Sequence, residues 1–427
     1  VFFNCENAIK FIMMHISQLA NISIKKSNFT NCHSKTSGAA IAINKMRNIR
    51  KRNRKIKKAE LVPNEIIWSP NICFDFLLFE NCHSKSDGGA ISISQDRKDR
   101  SKNIRAIVSI NLTNSIFINS EAKENGGSIY MNLNRIDKVY IRFCRFTKSF
   151  ANKGGSMTIS HTKILSNYNN TFIYSRASQI GSAVFLENVD NIKSFGCTFL
   201  SNSGSKERTK NKDHFRGIIT VKKSDFVTFL HCLFKANEAR ERYRTLLQFC
   251  LYLQDVKSVI LVGAIFKENI VRGHGAIMSI YNAKYICITK AIISRNRGNM
   301  FDLYMKGCQK VVINDIQFSS NFDLSTNRVE QCQSIEMSQC KFTHNKGGGG
   351  AVVSIYKTNY IYITKTIVSR NIRNKKSTIY IEDCSEVVIN AIQFLYNFDL
   401  TSGTVLKILK CERFFASKIT CIENIGQ

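Results

Sequence analysis

A cycle near 25 residues runs through this chain, and it limits the possible folds more than any other feature. An aromatic or apolar residue followed two or three positions later by Asn recurs along the sequence. The anchors are Phe2, Phe29, Phe79, Phe117, Phe146, Phe172, Phe199, Phe234, Phe266, Ile293, Phe318, Phe342, Val368, Phe394 and Cys421. Phe146 and Phe172 lack the Asn. Most successive spacings lie between 24 and 29 residues. A longer copy confirms the period. Gly275–Tyr281 (GAIMSIY) returns 75 residues later as Gly350–Tyr356 (GAVVSIY), and Val311–Leu324 returns 76 residues later as Val387–Leu400. Three cycles fill each copy, as repeat architectures require.

Each cycle has an internal pattern when counted from its anchor. Offsets −7 and −5 are apolar, as in Ile22 and Ile24, Val139 and Ile141, or Ile361 and Ile363. Offset −2 is small, and offset −10 is small or apolar. After many anchors comes Gly-Gly-Ala/Ser-apolar, as at Gly88–Ile91, Gly126–Ile129, Gly154–Met157 and Gly349–Val352. The apolar period is two, and the three-to-four spacing of a helix is absent. Short strands in such a cycle form a coil that cannot bury its own apolar face, so coils must stack. The expectation is an all-β parallel β-helix, a solenoid of about 15 coils, as a single domain over residues 1–427. Equivalent side chains then pile up, and Asn202, Asn237, Asn269, Asn296, Asn321, Asn345, Asn371 and Asn397 form one column. Gly pairs allow the chain to bend into the next strand. Insertions are expected near 45–70, 95–103, 203–216 and 238–244, where charge or proline breaks the pattern.

The alternation of Gly-Gly-Ala-Ile (Gly88–Ile91) with Phe-x-x-Asn resembles the polymorphic outer membrane protein repeat. It is similar more widely to the right-handed parallel β-helix superfamily, which also holds pectin-active enzymes. Early units depart from that repeat and read Phe-x-Asn-Cys, as at Phe29–Cys32 and Phe79–Cys82. The resemblance, with the general rule for parallel crossovers, implies a right-handed coil. It also implies an adhesin or passenger domain at the cell surface or secreted. The expected function is therefore a non-enzymatic solenoid that presents loops and a basic face to an anionic polysaccharide or cell-surface glycoprotein. The alternative is a carbohydrate-active β-helix enzyme, a pectin lyase-like hydrolase or lyase, because fold does not decide function. No cofactor is expected. No run of 18 apolar residues exists to span a membrane. The first residue is Val1 and no leader follows it, so we expect a piece of a longer protein.

Charge gives the partner expectation. Lys and Arg number 62 against 31 Asp and Glu, for a net charge of +31. Nine basic residues crowd Lys45–Lys58: Lys45, Arg47, Arg50, Lys51, Arg52, Arg54, Lys55, Lys57 and Lys58. Such a field attracts polyanions. Aromatic platforms for single strands are missing beside the basic runs, which argues against nucleic acid. Sequons at Asn21, Asn28, Asn111 and Asn169 fit a secreted chain.

The remaining candidates are weighed against plain structural roles. Eleven of the 15 cysteines fall in three columns: Cys5, Cys32 and Cys82 at +3; Cys144, Cys197, Cys232 and Cys340 at −2; Cys308, Cys332, Cys384 and Cys411 at −10. Small buried residues are the plain reading and inter-coil disulfides the rival. Asn-Cys-His-Ser-Lys occurs twice, so Cys32, His33, Cys82 and His83 are a weak zinc candidate, lacking any Cys-x-x-Cys spacing. Gly273-His274-Gly275 matches a motif of pectin-cleaving hydrolases but lacks their paired aspartates. Asp190 and Asp225 share offset −9, where turn residues are the plain reading.

Overall fold

Alternate residues of an extended chain point to opposite sides, so offsets −7, −5 and 0 share one face if each stretch is a strand. The computed structural model describes residues 2–4, 9–12, 21–44, 71–94, 108–204, 216–239, 248–271, 276–298, 301–322, 326–347, 352–373, 377–399 and 405–426. Among these, every regular element is a β-strand and none is a helix. Successive coils pair in parallel, which makes the fold a parallel β-solenoid. Two compact units are distinguished: Val1–Arg176 with Val184–Ile192, and Ala177–Ala183 with Lys193–Gln427.

In the first unit, Phe3, Phe29, Phe79, Phe117, Phe146 and Phe172 occupy equivalent positions on neighbouring strands. The first anchor is thus Phe3, and Phe2 pairs instead with Asn28. Two adjacent aromatics made the sequence ambiguous there, and strand pairing sets the register. From Phe29 to Phe172 the rings lie 4.7–5.0 Å apart and within 10° of parallel. Phe146 and Phe172 stack as well as the others despite their missing Asn. A second ladder runs through Ile22, Ile72, Ile110, Val139 and Leu165 at offset −7. The Gly pairs fit their expected role in this unit. Gly126 has φ +64°, and a Cβ there would sit 2.0 Å from the Ile129 carbonyl oxygen. A Cβ on the following Gly127 would sit 2.0 Å from the Gly155 oxygen on the next coil.

The second unit has the same kind of geometry within itself, with Phe199, Phe234, Phe266, Ile293, Phe318, Phe342, Val368, Phe394 and Cys421 in register. Its asparagine column is buried. Asn202, Asn237, Asn269, Asn296, Asn321, Asn345, Asn371 and Asn397 are all 0–4% exposed. Each donates its backbone N–H and its side-chain Nδ2 to the Oδ1 of the next asparagine, at 2.9–3.2 Å. From Asn237 onward, Nδ2 also donates to the anchor carbonyl of the preceding coil, as Asn237 does to Phe199. Asn424 extends the column by one coil. The early asparagines are a different set. Asn31, Asn81 and Asn119 lie one residue nearer their anchors, have φ near +50°, and form a surface ladder. Counting an Asn at either two or three positions had merged these two environments.

Corners are set by position more than by glycine. Offsets −3 and +2 carry positive φ coil after coil: Lys26, Phe76, Asn114, Phe143 and Asn169 at one, Lys148, Tyr174, Ala236, Glu268 and Arg295 at the other. In the second unit offset −11 is a third such corner, as at Lys223, Asp255 and Gln331. Only a few of these residues are Gly, so coil stacking must offset the left-handed cost at the rest. The residue after each corner turns inward. At several corners a Ser, Thr or Cys there donates back across the corner: Ser27 to the Lys25 carbonyl at 2.9 Å, Ser115 to Thr113 at 2.7 Å, Thr366 to Thr364 at 2.9 Å. Cys144, Cys197, Cys340 and Cys384 do the same with their thiols. The small columns at −10, −2 and +3 are therefore corner columns.

The expected insertions are narrower than their sequence bounds. Ser203–Gly204 and Glu238–Ala239 form short strands, and Arg216 opens the strand Arg216–Leu230. Residues just beyond the +2 corner belong to the coil even where they are charged. The segments 45–70 and 95–103 lie outside the described residues, as do 205–215 and 240–247.

Candidate functional site

The basic run Lys45, Arg47, Arg50, Lys51, Arg52, Arg54, Lys55, Lys57 and Lys58 lies outside the described residues, as does Gly273-His274-Gly275. The zinc candidate is described. Cys32 and Cys82 are fully buried, while the next residues along the strand, His33 and His83, turn outward. The two His rings lie 5.2 Å apart and tilted by 33°, and His83 Nδ1 lies 3.5 Å from Glu121. Strand alternation thus places the sulfurs and the imidazoles on opposite sides. No group of three or more metal-ligating side chains occurs among the described residues. Of the two aspartates, Asp225 is engaged by Lys257 at 2.8 Å.

An open surface groove arises on the outward side of the strands carrying offsets −8 and −6 in the second unit. Ile361 and Ile363 point into the core, so Tyr360 and Tyr362 must point out; they are 52% and 40% exposed. Register places Ser334 and Glu386 on either side of Tyr360, and Glu336 and Val388 on either side of Tyr362. Lys310 pairs with Ser334 one coil further on. Together these residues line an open groove of about 440 Å³. Glu386 is held by Arg413 at 2.7 Å. The groove therefore offers two free-standing aromatic rings, carboxylate and hydroxyl groups, and a lysine. Those groups bind polyhydroxylated ligands: rings cover C–H faces and the charged tips take hydroxyl hydrogen bonds. Our reading of the sequence missed Tyr360 and Tyr362. The available signal was the alternation Tyr360-Ile361-Tyr362-Ile363, whose aromatic members fall on the polar side of a period-two pattern.

A second polar cluster lies on the strands at offsets −14 and −12. Glu330, 8% exposed, accepts from the Tyr304 hydroxyl, from Arg328 Nε at 2.8 Å, and from Lys306 at 3.1 Å. The Arg328 guanidinium also covers the Tyr356 ring at 4.7 Å. Burial raises the Glu330 carboxyl, but the hydrogen bonds from Tyr304, Lys306 and Arg328 outweigh it and hold the pKa below the usual value. A lowered carboxylate stabilises the fold above its unfolded pKa, and that contribution fades as pH falls through the lower folded value. Glu330→Gln is expected to cost about 1–2 kcal/mol at pH 7, since Arg328 and Lys306 are partly solvent-screened. Urea titrations from pH 7 down to pH 3 test this: the two proteins converge below the ordinary carboxylate range. A constant gap across that range would mean that charge is not the cause. This cluster satisfies itself and reads as a structural network.

No protein-family model, no curated protein and no solved structure matches this chain.

Proposed function

We propose that this chain is a non-enzymatic, adhesin-like binding scaffold, located at the cell surface or secreted, whose second unit presents the Tyr360–Tyr362 groove to glycans. The observation that carries this reading is the pair of half-exposed tyrosines on a rigid parallel sheet, bordered by Glu336, Glu386 and Lys310. A sheet that holds its side chains in register offers a preformed surface with little ordering cost. The net charge of +31 concentrates the protein at acidic surfaces, where anionic glycans are dense. The resemblance to the polymorphic outer membrane protein repeat supports the same class and the same location.

The non-catalytic choice rests on the carboxylates. Glu386 is occupied by Arg413. Glu336 lies two coils from Glu386, roughly 10 Å along the stack at the usual strand spacing, and is also offset along the strand. Glycoside hydrolysis needs two carboxyls converging on one bond, about 5–9.5 Å apart.

Binding to immobilised glycans, neutral and acidic, tests the reading. The double variant Tyr360→Ala/Tyr362→Ala is expected to lose at least ~10-fold in affinity, because each ring contributes about 1 kcal/mol or more. Both side chains are outside the core, so folding is retained. An unchanged affinity in the variant, or no glycan binding by the parent protein, would remove the groove from the account.

A further inference from the structure

Four pairs of cysteines occupy equivalent corners on neighbouring coils: Cys32 with Cys82, Cys197 with Cys232, Cys308 with Cys332, and Cys384 with Cys411. The same two ladder bonds bracket every pair. On one side, the backbone N–H groups of Asn31, Gly196, Gly307 and Asp383 donate to Glu80, Leu230, Glu330 and Leu409 at 2.9–3.2 Å. On the other, His83, Leu233, Gln333 and Glu412 donate to the carbonyls of Cys32, Cys197, Cys308 and Cys384 at 2.8–3.2 Å. The two Cα atoms are therefore one strand spacing apart, about 4.8 Å, inside the range a disulfide spans. Both thiols of each pair follow a left-handed corner and turn to the same inward side. Seven of the eight cysteines are buried, and Cys411 is half-buried. Each of the eight thiols donates to the carbonyl two residues before it, so both sulfurs of a pair lie on the same side of the ladder. The remaining described cysteines differ: Cys144 faces Ser115 and Asn170 at its offset, and Cys340 faces Ile316 and Thr366.

We propose that these four pairs are inter-coil cystine sites, which a low-molecular-weight disulfide such as oxidised glutathione converts from dithiol to disulfide. One protein thiolate attacks the glutathione disulfide, forms a mixed disulfide and expels a glutathione thiolate. The second protein thiol then loses its proton, attacks the protein-bound sulfur and expels the second glutathione. The protein loses two electrons and two protons per pair, and one oxidised glutathione becomes two reduced ones. The neighbouring thiol eases the first step: Cys332 lowers Cys308, while Cys332 itself is raised by that neighbour and by burial. Burial chiefly pushes Cys384 up to about 11, so the more exposed Cys411 makes the first attack at its pair. The buried pairs react through local opening of the coil and follow more slowly.

The test takes the folded, fully reduced chain into a glutathione redox buffer, samples it over time, and denatures it in N-ethylmaleimide before non-reducing peptide mapping. The expected products are Cys384–Cys411 first, then Cys32–Cys82, Cys197–Cys232 and Cys308–Cys332, with Cys144, Cys250 and Cys340 carrying maleimide. Cys411→Ser is expected to remove the first link alone. Reduction of the oxidised protein is expected to raise its unfolding equilibrium constant by ~100-fold or more per link. Maleimide on all eight cysteines after prolonged oxidation, or links that join Cys144 or Cys340 to other coils, would overturn the assignment.

Discussion

Replacing Asn296 with leucine is expected to destabilise the protein by about 3–6 kcal/mol, seen as a large fall in the urea midpoint with little change in slope. The Oδ1 of Asn296 accepts from both the backbone N–H and the side-chain amide of Asn269, each at 3.0 Å. Its Nδ2 donates to the Phe266 carbonyl at 3.0 Å and to Asn321 at 3.2 Å. Leucine fills similar space but leaves the Asn269 donors and the Phe266 acceptor buried without those partners. Each such group costs about 1–3 kcal/mol. The surface ladder provides the comparison. Asn119→Gly keeps the positive φ and removes only an exposed bond to Asn81, so its effect should stay within ~0.5 kcal/mol. Equal effects of the two substitutions would show that the buried column is replaceable spacing and not a bonded chain.

The second large effect is expected at the aromatic stack. Phe234 is fully buried, with the Phe199 ring 4.9 Å away on one side and the Phe266 ring 4.5 Å away on the other. Phe229 meets its edge at 6.3 Å. Phe234→Ala removes contact with three rings at once and leaves a cavity that a hydrogen-bonded sheet cannot close. A cost of about 3–5 kcal/mol follows. Phe234→Leu should cost clearly less, because Ile293 and Val368 already hold the same offset on other coils. Equilibrium urea unfolding decides between them. A cost near 1 kcal/mol for the alanine variant would mean that the coils collapse around the gap.

The two sites respond differently to sequence reading for a physical reason. A core column repeats its chemistry at every coil, so Phe199, Phe234 and Phe266 announce their shared position by spacing alone. A surface groove repeats nothing. Lys310, Ser334, Tyr360 and Glu386 share one offset yet have unrelated side chains, and only the register brings them side by side. The corner cysteines fall between these cases. Their columns were legible, but their common role was not: the left-handed residue just before each one has no residue-type signature, since Lys, Phe, Asn, His, Gln, Asp and Gly all occupy it. The first coil is a related case: Phe2 has the Asn two positions on, yet Phe3 is the residue that pairs with Phe29.

The sequence by itself determined the strand period, the anchor at every coil after the first, the parallel stacking and the columns that fill the core. All of these follow from which residues leave water, and burial is encoded residue by residue. Tertiary structure alone decided which asparagines are bonded inside and which lie on the surface. It also sent Cys32 and His33 to opposite sides, paired the eight corner thiols, and set Tyr360 and Tyr362 between two glutamates. These depend on the direction of a side chain and on its neighbour one coil away, dozens of residues distant in the chain, and a linear pattern carries neither.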